Sequence, residues 1–117
     1  YRPLDSTKSQ IRLITPLFDH PHPLPRFTLE EVSLEENPSY SALSYVWGDA
    51  QIKRAILVDD RVVLVTKNLF SALINVHVPA SRIWIDAICI NQEDDDEKSW
   101  QVQLMREIYV QAEYTAA

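Results

Sequence analysis

Ile83-Trp84-Ile85-Asp86-Ala87-Ile88-Cys89-Ile90 is the stretch on which the reading of this chain turns. Apart from Asp86 it is apolar on both faces of an extended chain, which predicts a central strand over 83–90 covered on each side. Strands of that kind belong to α/β sheets flanked by helices. A carboxylate within such a strand carries an effective desolvation cost of several kcal/mol, on the order of that per ion, unless it is paired. Asp86 is therefore expected to be hydrogen-bonded, ion-paired, protonated or at a cleft, with Arg82, Arg54 and Arg106 as conceivable partners.

Downstream, Asn91-Gln92 ends the strand, and Asp94, Asp95, Asp96 and Glu97 place negative charge where the dipole of a new helix favours it. Asp94 with Glu97 matches a capping box, and Trp100, Leu104, Met105, Ile108 and Ala112 predict the buried face of a long helix. Another strand is due where the chain reaches Ala117. Upstream, Thr66 caps a helix carrying Leu69, Phe70, Leu73, Ile74 and His77 at helical spacing, with Pro79 closing it. Ala55–Val58 and Val62–Val65 flank Asp59-Asp60-Arg61 as a hairpin. Ser41–Val46 predicts a strand running into Trp47-Gly48-Asp49, preceded by the turn Asn37-Pro38-Ser39.

Nearer the start, Phe27, Leu29, Val32 and Leu34 predict a strand with an irregularity at Glu30-Glu31, and Ile11–Ile14 an edge strand. Pro16, Pro21, Pro23 and Pro25 keep the segment between them out of a sheet interior, because proline lacks the amide donor. A helix between two strands implies a right-handed crossover. The expected fold is α/β: a partly parallel sheet flanked by helices, with an N-terminal β extension and a β-hairpin insertion.

The 117 residues suffice for one domain, and 46% apolar with 24% charged residues is ordinary globular composition. A net charge of −6 with scattered Lys and Arg argues against nucleic acid as a partner, and no apolar run is long enough to cross a bilayer, so neither nucleic acid nor membrane is expected. Cys89 is the only cysteine, which excludes a disulfide within the chain and favours a reducing, cytoplasmic location. The chain begins with Tyr1 rather than Met, as an excerpt of a longer protein would.

In open α/β sheets ligands bind beyond the carboxyl ends of the strands. Two polar turns are expected on one such rim: Trp47-Gly48-Asp49 and Asn91-Gln92. Gly48 is the only glycine, so its position suggests positive φ or close backbone approach, in a tight turn, a site or both. Tyr45, Trp47, Gly48, Asp49, Asn91 and Gln92 are the candidate substrate-binding residues, and Asp49 and Asp86 the candidate catalytic carboxylates. Trp84 and Trp100 read as core. Cys89 reads as an inert small hydrophobe, and a Cys89–His77 nucleophile pair is disfavoured because a reactive thiolate needs an exposed, electropositive setting. His20 and His22 lack further ligands near them in sequence, so no metal is expected. Glycine-rich phosphate loops, zinc spacings and the G-x-S-x-G elbow are missing.

Several stretches together resemble the HET domain of fungal heterokaryon-incompatibility proteins. They are Tyr40-Ser-Ala-Leu-Ser-Tyr-Val-Trp-Gly-Asp49, Val65-Thr-Lys-Asn-Leu69 with Ala72-Leu73, Ile83 to Gln92, and Glu97-Lys98 with Gln101-Val102, Met105 and Ile108-Tyr109. The lead-in Tyr1-Arg-Pro-Leu4 and Ile11-Arg-Leu13 also matches, so residues 1–117 are expected to be the N-terminal portion of one such domain. The resemblance implies non-self recognition that triggers programmed cell death, a form of innate immunity, in proteins that often add a nucleotide-binding switch and repeats. HET domains are distantly similar to TIR domains, which implies a TIR-like (flavodoxin-like) three-layer arrangement. In that comparison Ala42–Asp49 and Ile83–Gln92 correspond to the first two TIR strands. Some TIR domains cleave NAD with a glutamate. The comparable Trp-x-x-Gln-Glu-like segment is expected after a further strand, beyond this chain. NAD is thus an expected substrate rather than a cofactor, and self-association without catalysis is the alternative.

Overall fold

The computed structural model describes residues 3–17, 24–43, 53–74 and 82–116. Its strands are β1 (Gln10–Pro16), β2 (Arg26–Ser33), β3 (Ser41–Leu43), β4 (Lys53–Val58), β5 (Arg61–Thr66), β6 (Ile83–Trp84) and β7 (Tyr114–Ala116). The helices are α1 (Lys67–Ile74), α2 (Asp86–Cys89) and α3 (Asp95–Gln111). Among the described residues the strands form one mixed sheet in the order β5-β4-β2-β1-β6-β3-β7. The α/β expectation holds. β3 lies parallel to both β6 and β7, with Ser41 opposite Ile83 and Tyr114. α3 connects β6 to β7 across β3, and the strand expected after α3 already begins at Tyr114.

The expected hairpin is present, with Arg61 in β5 rather than in the turn. Asp59 and Asp60 both take positive φ, 50° and 64°, as a two-residue turn between right-twisted strands demands. Thr66 caps α1 by accepting the Leu69 N–H through its hydroxyl at 3.2 Å. Leu69 and Leu73 are buried in the same core as Ile56, Val58 and Val65.

Four expectations are corrected. Ile11–Ile14 is not an edge: β1 lies between β2 and β6, and Ile11, Leu13 and Ile14 are fully buried. The N-terminal hairpin is thus an interior part of the sheet. β2 has no irregularity at Glu30-Glu31, because Gln10↔Ser33 through Pro16↔Phe27 pair in unbroken register. The predicted strand 83–90 stops at Trp84, and residues 86–89 turn into α2. Ile85, Ile88 and Cys89 are buried at helical spacing, and short apolar runs fit either periodicity. Finally, Glu97 and Gln101 join Ile108 as the buried residues of α3, while Trp100 is only half-buried. The rest of the predicted strand after Leu43, His20, His22, His77 and Pro79 lie outside the described residues.

Polar bonds between elements explain why α3 tolerates an inward-facing acid and amide. The Arg12 guanidinium grips the Glu97 carboxylate with two bonds, Nη1 to Oε2 at 2.7 Å and Nη2 to Oε1 at 2.6 Å. Gln101 donates to the carbonyl of Gln10 at 2.7 Å. At the other end of α3, the Tyr40 hydroxyl donates to the Ile108 carbonyl, and Trp84 meets Tyr109 edge to face with ring centroids 5.6 Å apart.

Candidate functional site

The parallel pairing of β3 with β6 puts the carboxyl ends of both strands on one edge of the sheet. Asp86 sits there, two residues past Trp84, in the first turn of α2. The mid-strand placement expected for it is therefore corrected. Ile85 precedes α2 without a side-chain cap, and the Asp86 carboxylate lies against the backbone N–H groups of Ala87 and Asp86 in the first turn.

None of the expected cations pairs with Asp86. Arg82 bonds the Ser39 carbonyl and Glu30, and Arg54 bonds the Lys53 carbonyl. Among the described residues no salt bridge reaches Asp86. Burial pushes its carboxyl above the ordinary value, opposed by the bonds from backbone N–H groups. The Tyr109 phenol is raised too, by burial first and then by the charge of Asp86, so the two groups sense one another.

The turn after α2 is built by its own side chains. Gln92 Nε2 donates to the Asp86 carbonyl at 3.0 Å, and Asn91 Oδ1 accepts the Glu93 N–H at 3.2 Å. Glu97 Oε2 accepts the Asn91 N–H at 2.6 Å, and Arg12 Nη1 donates to the Cys89 carbonyl at 3.1 Å. The capping box is accordingly half-formed. Asp94 accepts the Glu97 N–H, while the Glu97 side chain goes to Arg12 and Asn91 instead of returning to Asp94. A buried, bidentate arginine outcompetes an exposed backbone amide.

Asp86, Asn91 and Gln92 thus share the end of β6. Tyr45, Trp47, Gly48 and Asp49 lie outside the described residues. Arg12, Glu97 and Tyr109 were missed by the sequence reading. Arg12 carried a usable signal, since a charge inside Ile11-Arg12-Leu13-Ile14 is the same anomaly as Asp86 inside its own run. Cys89 is fully buried and its thiol is pushed up to about 12 by burial, which makes it inert. Trp84 Nε1 and Ser41 Oγ are buried without a hydrogen-bond partner among the described residues. An open groove of about 1120 Å³ is lined by residues including Leu29, Glu31, Val58, Arg61, Val63 and, from α2, Ile88; Asp86, Asn91 and Gln92 are not in its lining. No described helix is long and apolar enough to cross a membrane, and no group of potential metal ligands occurs among the described residues.

Parallel strands β3, β6 and β7 in a mixed sheet with helices between them define an α/β domain. The sequence profile of the heterokaryon incompatibility protein (HET) family matches residues 40–117, and the chain belongs to that family. It is similar to the heterokaryon incompatibility protein 6, OR allele, of Neurospora crassa: 42% identical over 90 residues, covering 64% of this chain and 13% of that protein. The chain therefore spans a small fraction of that relative's length. No solved structure matches it significantly.

Proposed function

We propose that this chain is the HET module of a fungal heterokaryon-incompatibility protein and acts in non-self recognition, with programmed cell death as its output. The family match, together with a relative named for heterokaryon incompatibility, supports the reading. In this proposal the protein works in the cytoplasm alongside a nucleotide-binding switch and repeat domains.

The chemistry proposed for the rim is hydrolysis of an NAD-type nucleotide by the complete domain, in a TIR-like arrangement. Two observations support it. β3 and β6 end side by side, and the Asp86 carboxylate at that end has no cationic partner among the described residues. Water would add at the anomeric carbon as the bond to nicotinamide breaks, releasing ADP-ribose, nicotinamide and a proton. Asp86 would stabilise the positive charge developing on the ribose. Asp49 would hold the ribose hydroxyls, Tyr45, Trp47 and Gly48 would wall the pocket, and Asn91 and Gln92 would close its far side.

The test is expression of the full-length protein in a fungal host, with viability and NAD content followed together. Asp86→Asn and Asp49→Ala should each spare the cells and preserve NAD, at unchanged protein level. Cell death with NAD intact in the parent would discard the hydrolase and leave the second reading, non-enzymatic assembly. That reading is favoured by Val102 and Val110, exposed by 51% and 69% on α3 with the exposed Arg106 midway between them. Val110→Glu should then abolish death.

A further inference from the structure

Among the described residues β5 is an edge strand, and its open side fits a second copy of itself. In an antiparallel pair closed by a two-residue turn, the residues flanking the turn exchange backbone bonds, and bonded pairs then alternate with non-bonded ones. Here the flanking pair is Val58↔Arg61, so Arg61, Val63 and Val65 bond to β4. The other face of this alternation is visible on β4, where the Leu57 N–H turns away from β5 to the Pro25 carbonyl. Val62 and Leu64 must therefore direct their N–H and C=O groups outward. They are also the exposed large apolar residues of the strand, 64% and 65% accessible. Natural edges are usually guarded by charged side chains, proline or a bulge; Arg61-Val-Val-Leu-Val-Thr66 has no proline or bulge, and its one charge, Arg61, stands at the end of the strand.

We infer that β5 pairs antiparallel with β5 of a second copy of this chain, about a two-fold axis at Val63. This register places Val62 opposite Leu64 of the other copy, so both outward-facing residues find bonded partners and their side chains meet on one face. It also sets the acidic turn Asp59-Asp60 of each copy beside Thr66-Lys67 of the other, and Arg61 opposite an uncharged Val65. Moving the register by two residues keeps the backbone bonds but opposes Arg61 with Lys67, and like charges directly opposite destabilise. Charge therefore disfavours that shift, while a shift the other way opposes Arg61 with Val63 and gives up the contact between the acidic turn and Lys67. The contact is small, so it belongs to the weak class of interfaces and responds to concentration or to tethering in a larger assembly. It goes beyond the proposed cell-death role and stands whether or not that role holds.

The register can be read by cross-linking. Opposed non-bonded residues have Cα atoms about 4.5 Å apart, within disulfide range. Full-length protein carrying Val63→Cys should form a disulfide-linked dimer under a glutathione redox buffer, and Val65→Cys should not. The buried Cys89 stays out of the reaction. By sedimentation, the parent should gain mass with concentration, whereas Leu64→Lys, at an exposed position, should lose that association with an unchanged circular dichroism spectrum. A parent that is monomeric throughout, association that survives Leu64→Lys, or equal cross-linking at 63 and 65 would each overturn the inference. So would protection of the Val62 and Leu64 amides that appears only with a different protein.

Discussion

At the residue scale, Asp86 is the position where stability and function should pull apart. Burial favours its protonated form, so its folded pKa lies above the ordinary carboxyl value of 3.8. Below that value both folded and unfolded chains hold the proton, and the group has no effect on the balance. As pH rises through the window from 3.8 to the folded pKa, the unfolded chain releases the proton first, and Asp86 begins to destabilise the fold. Asp86→Asn removes that penalty while keeping an oxygen for the Ala87 N–H. The variant should melt higher than the parent at pH 7, with the difference shrinking toward zero by pH 3. Thermal melts across that range check this, and a pH-independent difference would mean that the charge is compensated in the fold. A buried charge kept at a cost to stability fits a site held for activity when its removal also costs function. The sequence made Asp86 conspicuous because a carboxylate stood alone in an apolar run. It could not show that the strand ends two residues earlier, because Ile85, Ile88 and Cys89 suit a buried helix turn as well as a buried strand.

At the element scale, the end of β6, the turn after α2 and the start of α3 are tied together by one buried ion pair. Arg12 reaches from β1 to the Cys89 carbonyl and Glu97, and Glu97 also holds the Asn91 amide. Both side chains are almost wholly enclosed, 1% and 4% exposed. Removing one partner from such a pair strands a buried charge and costs about 3–5 kcal/mol. Arg12→Met should destabilise by that order in urea unfolding. Arg12→Met with Glu97→Leu should cost less than the sum of the single changes, though not nothing, since the Asn91 N–H and Cys89 carbonyl lose partners at about 1–3 kcal/mol each. Strictly additive losses would show that the two residues do not work as a pair. Local signals explain which elements the sequence disclosed. The β4–β5 hairpin and the caps of α1 and α3 were legible because their information lies within a few neighbouring residues. Arg12 and Glu97 are 85 positions apart, and nothing local to either announces the other.

At the scale of the whole molecule, the family match begins at residue 40, yet the sheet does not. β1 covers the edge of β6 that β3 leaves open, and it brings both Arg12 and three fully buried side chains, Ile11, Leu13 and Ile14. Burying each of these is worth about 1.5–3 kcal/mol. Together that approaches the roughly 5–15 kcal/mol that holds an ordinary domain folded, even before Glu97 loses its counter-charge. The N-terminal hairpin is therefore part of the folding unit and not an appendage to it, although its prolines and short apolar run made it resemble an edge. Deleting residues 3–33 from the full-length protein should leave the HET module unable to hold β6 and α3. Amide hydrogen exchange reads this directly: Ile83, Trp84 and the interior of α3 should lose their slow exchange. They should regain it when a separate chain carrying the first 39 residues is co-expressed, because the missing strand can add back to the open edge of β6. Undiminished protection after the deletion would show instead that residues 40–117 close their own core, and that the Arg12–Glu97 pair is dispensable for the rim it supports.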